Sequence, residues 1–263
     1  MKRRLLAMLV VLAGTMMPAM SRAQALLDFR SDHAFPETVV ETAAERTYRH
    51  RLLSLAGQGL LDENPALLGR LRRLVDGLAA AARIEKPSVI RWEIHTCRHC
   101  GENASSMSGG RLLVGEEFVL EPALSDDELG YLLAHEMAHV LAEHTLEYAS
   151  AARYFVDNGR NRRYEDIQNE LDESLSVSLR MSEVYAQQEL EADFIGFILG
   201  ARAGLEPEAM LRMLKKVTDD GGAFATMHPR RDERIRRAGA MLQMGYRIQE
   251  ITAAKARSGQ SGQ

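Results

Sequence analysis

The sequence predicts a mostly helical α+β fold with one small sheet beside a central helix. Apolar residues recur at helical spacing along most of the chain, for example over 64–84. By contrast, strand-like character is confined to two short stretches, 88–95 and 111–114. The sequence 125-SDDE-128 is a capping box, so we expect a helix that begins there and continues to about residue 146.

The remaining elements follow from the same periodicity and from turn residues. The further predicted helices cover 37–57, 146–157, 164–200, 207–217 and 230–243. The segment 96–110, rich in glycine and serine, reads as a loop between the two strands. Because no linker or internal repeat interrupts the pattern, we expect one domain over 26–250 and a flexible tail over 251–263.

The first 25 residues are predicted to be a secretory signal peptide. A basic start precedes an apolar run, and small residues then allow cleavage after Ala23 or Ala25. An uncleaved membrane anchor is the alternative, but Gly14 and Pro18 interrupt the apolar run before it reaches spanning length. The sequence therefore predicts an exported, periplasmic protein without a transmembrane span after cleavage.

The charge of the chain argues against nucleic-acid binding. Loss of the leader removes four basic residues and no acidic ones, which changes the formal net charge from −4 to −8. Proteins that bind nucleic acid depend on basic surfaces to neutralise phosphates. We therefore expect protein or peptide partners rather than DNA or RNA.

The segment 135-HEMAH-139 predicts one wall of a metal site. Residues four apart lie on one face of a helix, so His135 and His139 can point their imidazoles at a common ion. Glu136 lies one step round the helix, where it can reach a metal-bound water. A satisfied or solvated helix face is the alternative interpretation. The flanking residues are apolar, however, and buried histidines need polar partners.

A catalytic zinc site needs a third protein ligand and an open position for water. His144 lies nine residues after His135, about half a turn off the metal face, so we interpret it as a surface histidine. Glu189 is the better candidate, and Asp193 lies one turn later on the same face, where it can orient a ligand histidine. Glu191 is the weaker alternative.

Two cysteines, Cys97 and Cys100, have C-x-x-C spacing. In an exported protein this pair is expected to form a structural disulfide. A redox-active pair is a second interpretation of the same spacing. A second metal site with His95 and His99 is a third, although four ligands within six residues would strain the chain.

Taken together, these segments resemble a known family. HEMAH at 135–139, ELEAD at 189–193 and HPRRDERI at 228–235 resemble the HtpX- and BepA-type zinc metallopeptidases, gluzincins with the pattern HExxH, ExxAD and HPxxxxRI. The stretch 103-NASSMSGGRLLV-114 is similar to the strand segment that precedes their helix. The resemblance covers about 64–240. It implies a zincin-like metallopeptidase domain, most similar to compact single-domain periplasmic members such as LoiP.

The resemblance also implies roles for individual residues. His135, His139 and Glu189 would be the ligands of one Zn²⁺ per chain. Glu136 would be the general base, and Asp193 would support a ligand histidine from outside the metal's coordination sphere.

The third motif implies a loop over the metal. His228 would lie in that loop, either as a catalytic residue that stabilises the oxyanion or as an inhibitory fourth ligand, and Arg234 would anchor it. A simple turn histidine before a proline that opens a helix is the alternative for His228.

The predicted function is that of a hydrolase, a zinc endopeptidase for unfolded or misassembled cell-envelope proteins, acting in protein quality control. A substrate strand is expected to pair with an edge strand near 110–114. A chaperone or binding module on a self-inhibited zincin fold is the first alternative, but such a protein would not need Glu136. A thiol oxidoreductase based on Cys97 and Cys100 is the second.

Overall fold

A computed structural model of the protein describes residues 34–82, 90–101, 103–217 and 231–260. The predicted signal peptide and His228 lie outside these residues. Among the described helices, none has the combination of length and apolar character that crossing a bilayer requires.

The predicted fold class is confirmed, because the described chain is mostly helical with a single small sheet. The described helices, in chain order, are α1 (Glu37–Gly57), α2 (Pro65–Ala82), α3 (Glu116–Leu120), α4 (Asp126–Leu141), α5 (His144–Ala152), α6 (Tyr164–Glu173), α7 (Leu175–Ala203), α8 (Ala209–Lys216) and α9 (Arg231–Gln260). A short 3-10 turn at Gly159–Asn161 lies between α5 and α6.

The sheet has three strands: β1 (Glu93–Cys97), β2 (Ala104–Met107) and β3 (Arg111–Gly115). β3 is central, parallel to β1 and antiparallel to β2. The prediction that 110–114 would be the edge strand is therefore wrong, because the edge strand beside α4 is β2. β2 lies in the segment that we expected to be a loop, since its sequence ASSM lacks the apolar alternation that identifies a strand.

The predicted capping box at the start of α4 is present. The Ser125 hydroxyl accepts a hydrogen bond from the Glu128 backbone amide (3.3 Å), and the Glu128 carboxylate accepts one from the Ser125 amide (2.8 Å). Lys216 donates to the same carboxylate at 2.7 Å, which connects the end of α8 to the start of α4. Burial would raise the pKa of Glu128, but the hydrogen bonds from Lys216 and Ser125 lower it.

Two glycines of α7 bring this helix close to α4. A Cβ atom on Gly196 would lie 3.0 Å from the backbone nitrogen of His135, and one on Gly200 would lie 2.5 Å from the ring of Tyr131. Larger side chains at these positions would push the helices apart. The close packing places the middle of α7, which carries Glu189 and Asp193, beside the histidines of α4.

Two predicted helices are broken in the structure. α4 ends at Leu141 rather than near residue 146, because Glu143 adopts a left-handed conformation (φ 60°) and a new helix begins at His144. The predicted helix over 164–200 is divided at Ser174, whose hydroxyl accepts a hydrogen bond from an amide in the first turn of α7.

At the end of the described chain, the helical backbone of α9 continues to Gln260. The sequence predicted a flexible tail from residue 251 onward. Alanine, lysine and arginine within 251–257 favour helix, and they explain why the backbone does not leave the helix there.

Candidate metal centre and cleft

The structure brings together the three residues proposed as metal ligands. Nε2 of His135 and Nε2 of His139 are 3.2 Å apart, and the Glu189 carboxylate oxygens lie 3.4 Å and 3.3 Å from them. Ligand atoms arranged tetrahedrally about zinc at 2.0–2.2 Å would be about 3.3–3.6 Å apart. Within the described residues, this group has the composition and spacing of a metal site.

His135 is held from its outer side by Asp193. Its Nδ1 lies 3.0 Å from the Asp193 carboxylate, which also accepts two hydrogen bonds of 2.8 Å from Arg234. Burial would raise the pKa of Asp193, but hydrogen bonds from Arg234 and His135 lower it to about 2. The carboxylate is therefore ionised at neutral pH and accepts the Nδ1–H of His135, which leaves Nε2 for a metal.

The electrostatics of this group favour a cation. Burial would lower the pKa of His135, but the hydrogen bonds to Asp193 and Glu189 raise it to about 10. Two buried carboxylates thus stabilise positive charge at the imidazole. A divalent metal in place of the proton would be stabilised by the same two negative charges. Arg234, the predicted loop anchor, contacts Asp193 and lies 4.0 Å from Glu189. Its contact with the His228 loop remains a prediction.

Glu136, the proposed general base, is buried and only 9% exposed. Burial raises the pKa of its carboxyl group, while the charges of His135 and His139 and a hydrogen bond with Ser106 oppose that shift. Ser106 belongs to the edge strand β2. Glu136 therefore lies between the proposed metal ligands and the strand.

The prediction that His144 lies at the surface is wrong. The residue is 3% exposed, and its Nδ1 lies 2.9 Å from Nδ1 of His139. The helical projection failed because α4 ends at Leu141 and the left-handed Glu143 turns the chain back towards the metal group. Helical periodicity continues through Glu143 and His144, so it does not reveal that the helix ends before them.

α7 supplies further contacts to His144. The Gln188 side-chain amide donates to the His144 carbonyl oxygen (3.1 Å) and to the Glu147 carboxylate (2.9 Å). Glu191, the weaker candidate for third ligand, lies outside the ligand group, and its carboxylate is 3.7 Å from His144 Nε2. One part of α7 thus contacts His144 through Gln188, and the next turn contacts the ligand histidine His135 through Asp193.

A cleft of about 350 Å³ opens over these residues. β2 lines one side of the cleft, and an apolar wall contributes Phe118, Leu132, Met213, Leu214 and Val217. Tyr185 lies in the same cleft, where its hydroxyl hydrogen-bonds to Glu189. Burial, together with the charges of Glu189 and Glu136, raises the pKa of Tyr185, so its phenol stays protonated.

The register of β2 against β3 shows which backbone groups of β2 face away from the sheet. The Gly115 amide donates to the Asn103 carbonyl oxygen (2.6 Å), which marks these residues as a hydrogen-bonded pair with β3. Bonded and non-bonded pairs alternate in antiparallel sheets, so Ser105 also pairs with β3. The backbone groups of Ala104 and Ser106 consequently point away from the sheet.

The two cysteines form the predicted disulfide, with their sulfurs 2.00 Å apart. Neither sulfur is then a free thiolate ligand, which argues against the second metal site. The two histidines near it have other partners: His95 Nδ1 is 2.6 Å from an Asp62 carboxylate oxygen, and His99 pairs with a glutamate of α3. Cys97 is fully buried, which is typical of a structural bond.

A His-Glu-x-x-His helix, a glutamate from a second helix and a cleft edged by a strand define a metallopeptidase of the zincin type. The profile of peptidase family M48 matches residues 65–242, more than half of the chain. The chain belongs to peptidase family M48. The predicted enzyme class, a metallopeptidase, is confirmed at the level of the family.

Three curated relatives are similar to the chain, and each is a mitochondrial metalloendopeptidase OMA1. The Schizosaccharomyces pombe protein is 30% identical over 57% of this chain and 46% of its own length. The Saccharomyces cerevisiae protein is 28% identical over 61% of this chain and 50% of its own length. The Arabidopsis thaliana protein is 25% identical over 63% and 35%. The chain thus spans about half or less of the length of these relatives.

These relatives bear on two predictions. The M48 family is confirmed, but the HtpX, BepA or LoiP type that the motifs resembled is not, because the relatives found are OMA1 metalloendopeptidases. The predicted periplasmic location is wrong by this comparison, because the relatives are mitochondrial proteins and not exported periplasmic ones. A basic N-terminal segment without acidic residues is common to secretory leaders and organelle-targeting segments, so residues 1–25 do not specify the compartment.

Proposed function

We propose that this protein is a zinc-dependent endopeptidase that cleaves unfolded or misassembled proteins. One observation carries the proposal: His135, His139 and Glu189 have the separations of a tetrahedral zinc site, with Glu136 in the same cleft. Zinc, when bound, supplies an acidified water and polarises the scissile carbonyl group. One ion per chain is expected, because the described residues offer one such group.

The proposed base acts through its buried carboxylate. Glu136 would accept a proton from the attacking water and transfer it to the leaving amine. Its raised pKa suits this role, because a stronger base takes up the proton more readily than an ordinary carboxylate. Tyr185 is a protonated donor in the described part of the cleft, and His228 remains the predicted oxyanion stabiliser from the segment outside the described residues.

The cleft favours an extended chain as substrate. The outward backbone groups of Ala104 and Ser106 can bond a substrate strand whatever its sequence. The apolar residues that line the cleft would accept apolar side chains, which become available in numbers only when a protein is unfolded. The sequence had narrowed the substrates to cell-envelope proteins, but that part depended on the periplasmic location and is not retained.

The test is digestion of a denatured, disulfide-free protein by the zinc-loaded wild type and by Glu136→Gln. The proposal expects fragments from the wild type and a rate at least about 10²-fold lower for the variant, because general-base catalysis contributes 10²–10⁴-fold. Zinc content should be equal in the two proteins. Zinc binding without cleavage of any denatured substrate would instead favour a binding module on the same fold.

A further inference from the structure

The two ligand histidines are supported in different ways. His135 has the common arrangement, in which a carboxylate, Asp193, accepts the hydrogen of the outer ring nitrogen. For His139 the described partner of the outer nitrogen is another imidazole, Nδ1 of His144, at 2.9 Å. The two rings meet edge to face, with centroids 4.9 Å apart and an interplanar angle of 76°.

The chemistry of imidazole fixes the direction of this hydrogen bond. A histidine that gives Nε2 to a metal is neutral and carries its remaining hydrogen on Nδ1. His139 must therefore donate, and His144 must accept through an unprotonated Nδ1. The hydrogen of His144 is then on Nε2, which faces the Glu191 carboxylate at 3.7 Å.

The position of His144 is built into the fold. The left-handed Glu143 turns the chain so that α5 begins at His144, and Gln188 of α7 donates to its carbonyl oxygen. The imidazole is buried, so a polar contact in this place has little competition from water. The contact thus joins α5 and α7 to the metal-bearing face of α4.

We propose that His144 is a positioning residue, which accepts the Nδ1 hydrogen of His139 and so fixes the ring that presents Nε2 to the metal. The inference rests on the proposed zinc site. It adds a second orienting contact beside that of Asp193, and it gives each ligand histidine its own support. α7 takes part in both, through Asp193 in one and through Gln188 and Glu191 in the other.

The test compares three variants of the full chain. His144→Leu removes the acceptor and keeps an apolar side chain. His144→Asn retains an acceptor at the position of Nδ1. His50→Leu removes an exposed histidine outside the site and serves as the control. Zinc affinity is measured by competition with a chromophoric chelator, and the visible spectrum of the cobalt-substituted protein reports ligand geometry.

We expect the zinc dissociation constant to rise about 10–100-fold in His144→Leu, the usual loss when an outer partner of a ligand is removed. His144→Asn should recover most of this loss, and His50→Leu should match the wild type. Unchanged affinity and an unchanged cobalt spectrum in a folded His144→Leu would overturn the inference. Equal losses in the Leu and Asn variants would also overturn it, because packing would then explain both.

A measurement on the wild type does not depend on the folding of any variant. Nitrogen-15 shifts of labelled histidines report which ring nitrogens carry hydrogen. In the zinc-bound protein we expect hydrogen on Nδ1 of His139 and on Nε2 of His144. Hydrogen on Nδ1 of His144 would contradict the proposal. Failure of the wild type to bind zinc would instead overturn the proposed function on which the inference rests.

Discussion

At the scale of single residues, the metal group depends on the side chains behind the ligands. Asp193 is 3% exposed, yet it is ionised, because Arg234 and His135 both donate to it. A buried carboxylate without such partners would be costly. The pair formed by Asp193 and Arg234 therefore contributes both to the orientation of His135 and to stability.

Substitution of Asp193 by asparagine should weaken both properties. The neutral amide of Asp193→Asn removes the carboxylate that accepts both hydrogen bonds from the largely buried Arg234 guanidinium, which should lower the free energy of unfolding at neutral pH by about 3 kcal/mol. Zinc affinity should fall by about 10–100-fold, because His135 loses its carboxylate partner. Urea denaturation and chelator competition would measure the two effects. As a control, Asp166→Asn removes an exposed carboxylate paired with Arg163 and should have little effect.

The same substitution should change the pH dependence of stability. The pKa of Asp193 is lowered from 3.8 to about 2 in the folded protein, so the unfolded chain binds its proton first as the pH falls. Its stabilisation is complete above about pH 5 and is lost towards pH 2. In metal-free protein, protonation of Asp193 should lower the free energy of unfolding by about 1 kcal/mol between pH 5 and pH 3. If the free energy of unfolding falls with pH as steeply in Asp193→Asn as in the wild type, this assignment to Asp193 is contradicted.

At the scale of elements, the edge strand β2 is the part of the described sheet that lines the cleft, and we propose that a substrate strand pairs with it. Its register against β3 leaves the Ala104 amide pointing outward and uses the Ser105 amide in the sheet. This alternation makes adjacent positions suitable for a matched pair of substitutions. Proline removes the amide hydrogen at either position, but the consequences should differ.

Ala104→Pro should raise KM for denatured protein substrates, since it removes one outward donor, and should leave thermal stability close to that of the wild type. Ser105→Pro should lower thermal stability, since it removes a hydrogen bond of the sheet. Melting curves and steady-state kinetics would separate the effects. A normal KM in a folded Ala104→Pro protein would argue against pairing of substrate at this position.

At the scale of the whole molecule, the proposed metal ligands come from two helices that are about 50 residues apart in sequence. His135 and His139 come from α4, and Glu189 comes from α7. The unfolded chain does not hold these side chains together, so zinc should bind the folded state preferentially. Metal binding should therefore stabilise the complete fold.

Removal of zinc should lower the melting temperature of the wild type. Zinc present at 100 times its dissociation constant adds about 2.7 kcal/mol, which corresponds to a change of about 5–10 °C for a domain of this size. Calorimetry with and without chelator would measure the shift. Glu189→Ala should show a much smaller difference between the two conditions. An equal shift in this variant would place the third ligand elsewhere.

The sequence by itself determined what short-range periodicity and side-chain chemistry encode. Spacing within a few turns of chain was enough to predict several features correctly. These features are the mostly helical α+β class, α1, the capping box at Ser125, the disulfide and the grouping of His135 and His139. Glu189 could also be predicted from the sequence, because two carboxylates one turn apart in an apolar helix require buried partners. The family resemblance came from the combination of these local patterns, and it is confirmed at the level of peptidase family M48.

The tertiary structure decided what depends on contacts between distant segments. β2 has no apolar alternation of its own, and its pairing with β3 makes it a strand. His144 reaches His139 because the left-handed turn at Glu143 reverses the chain, a change that no helical projection contains. Gln188 acquires its partners, the His144 carbonyl oxygen and the Glu147 carboxylate, because α7 packs against α5. Local sequence patterns thus specified the chemical groups, whereas long-range packing specified how those groups are oriented and supported.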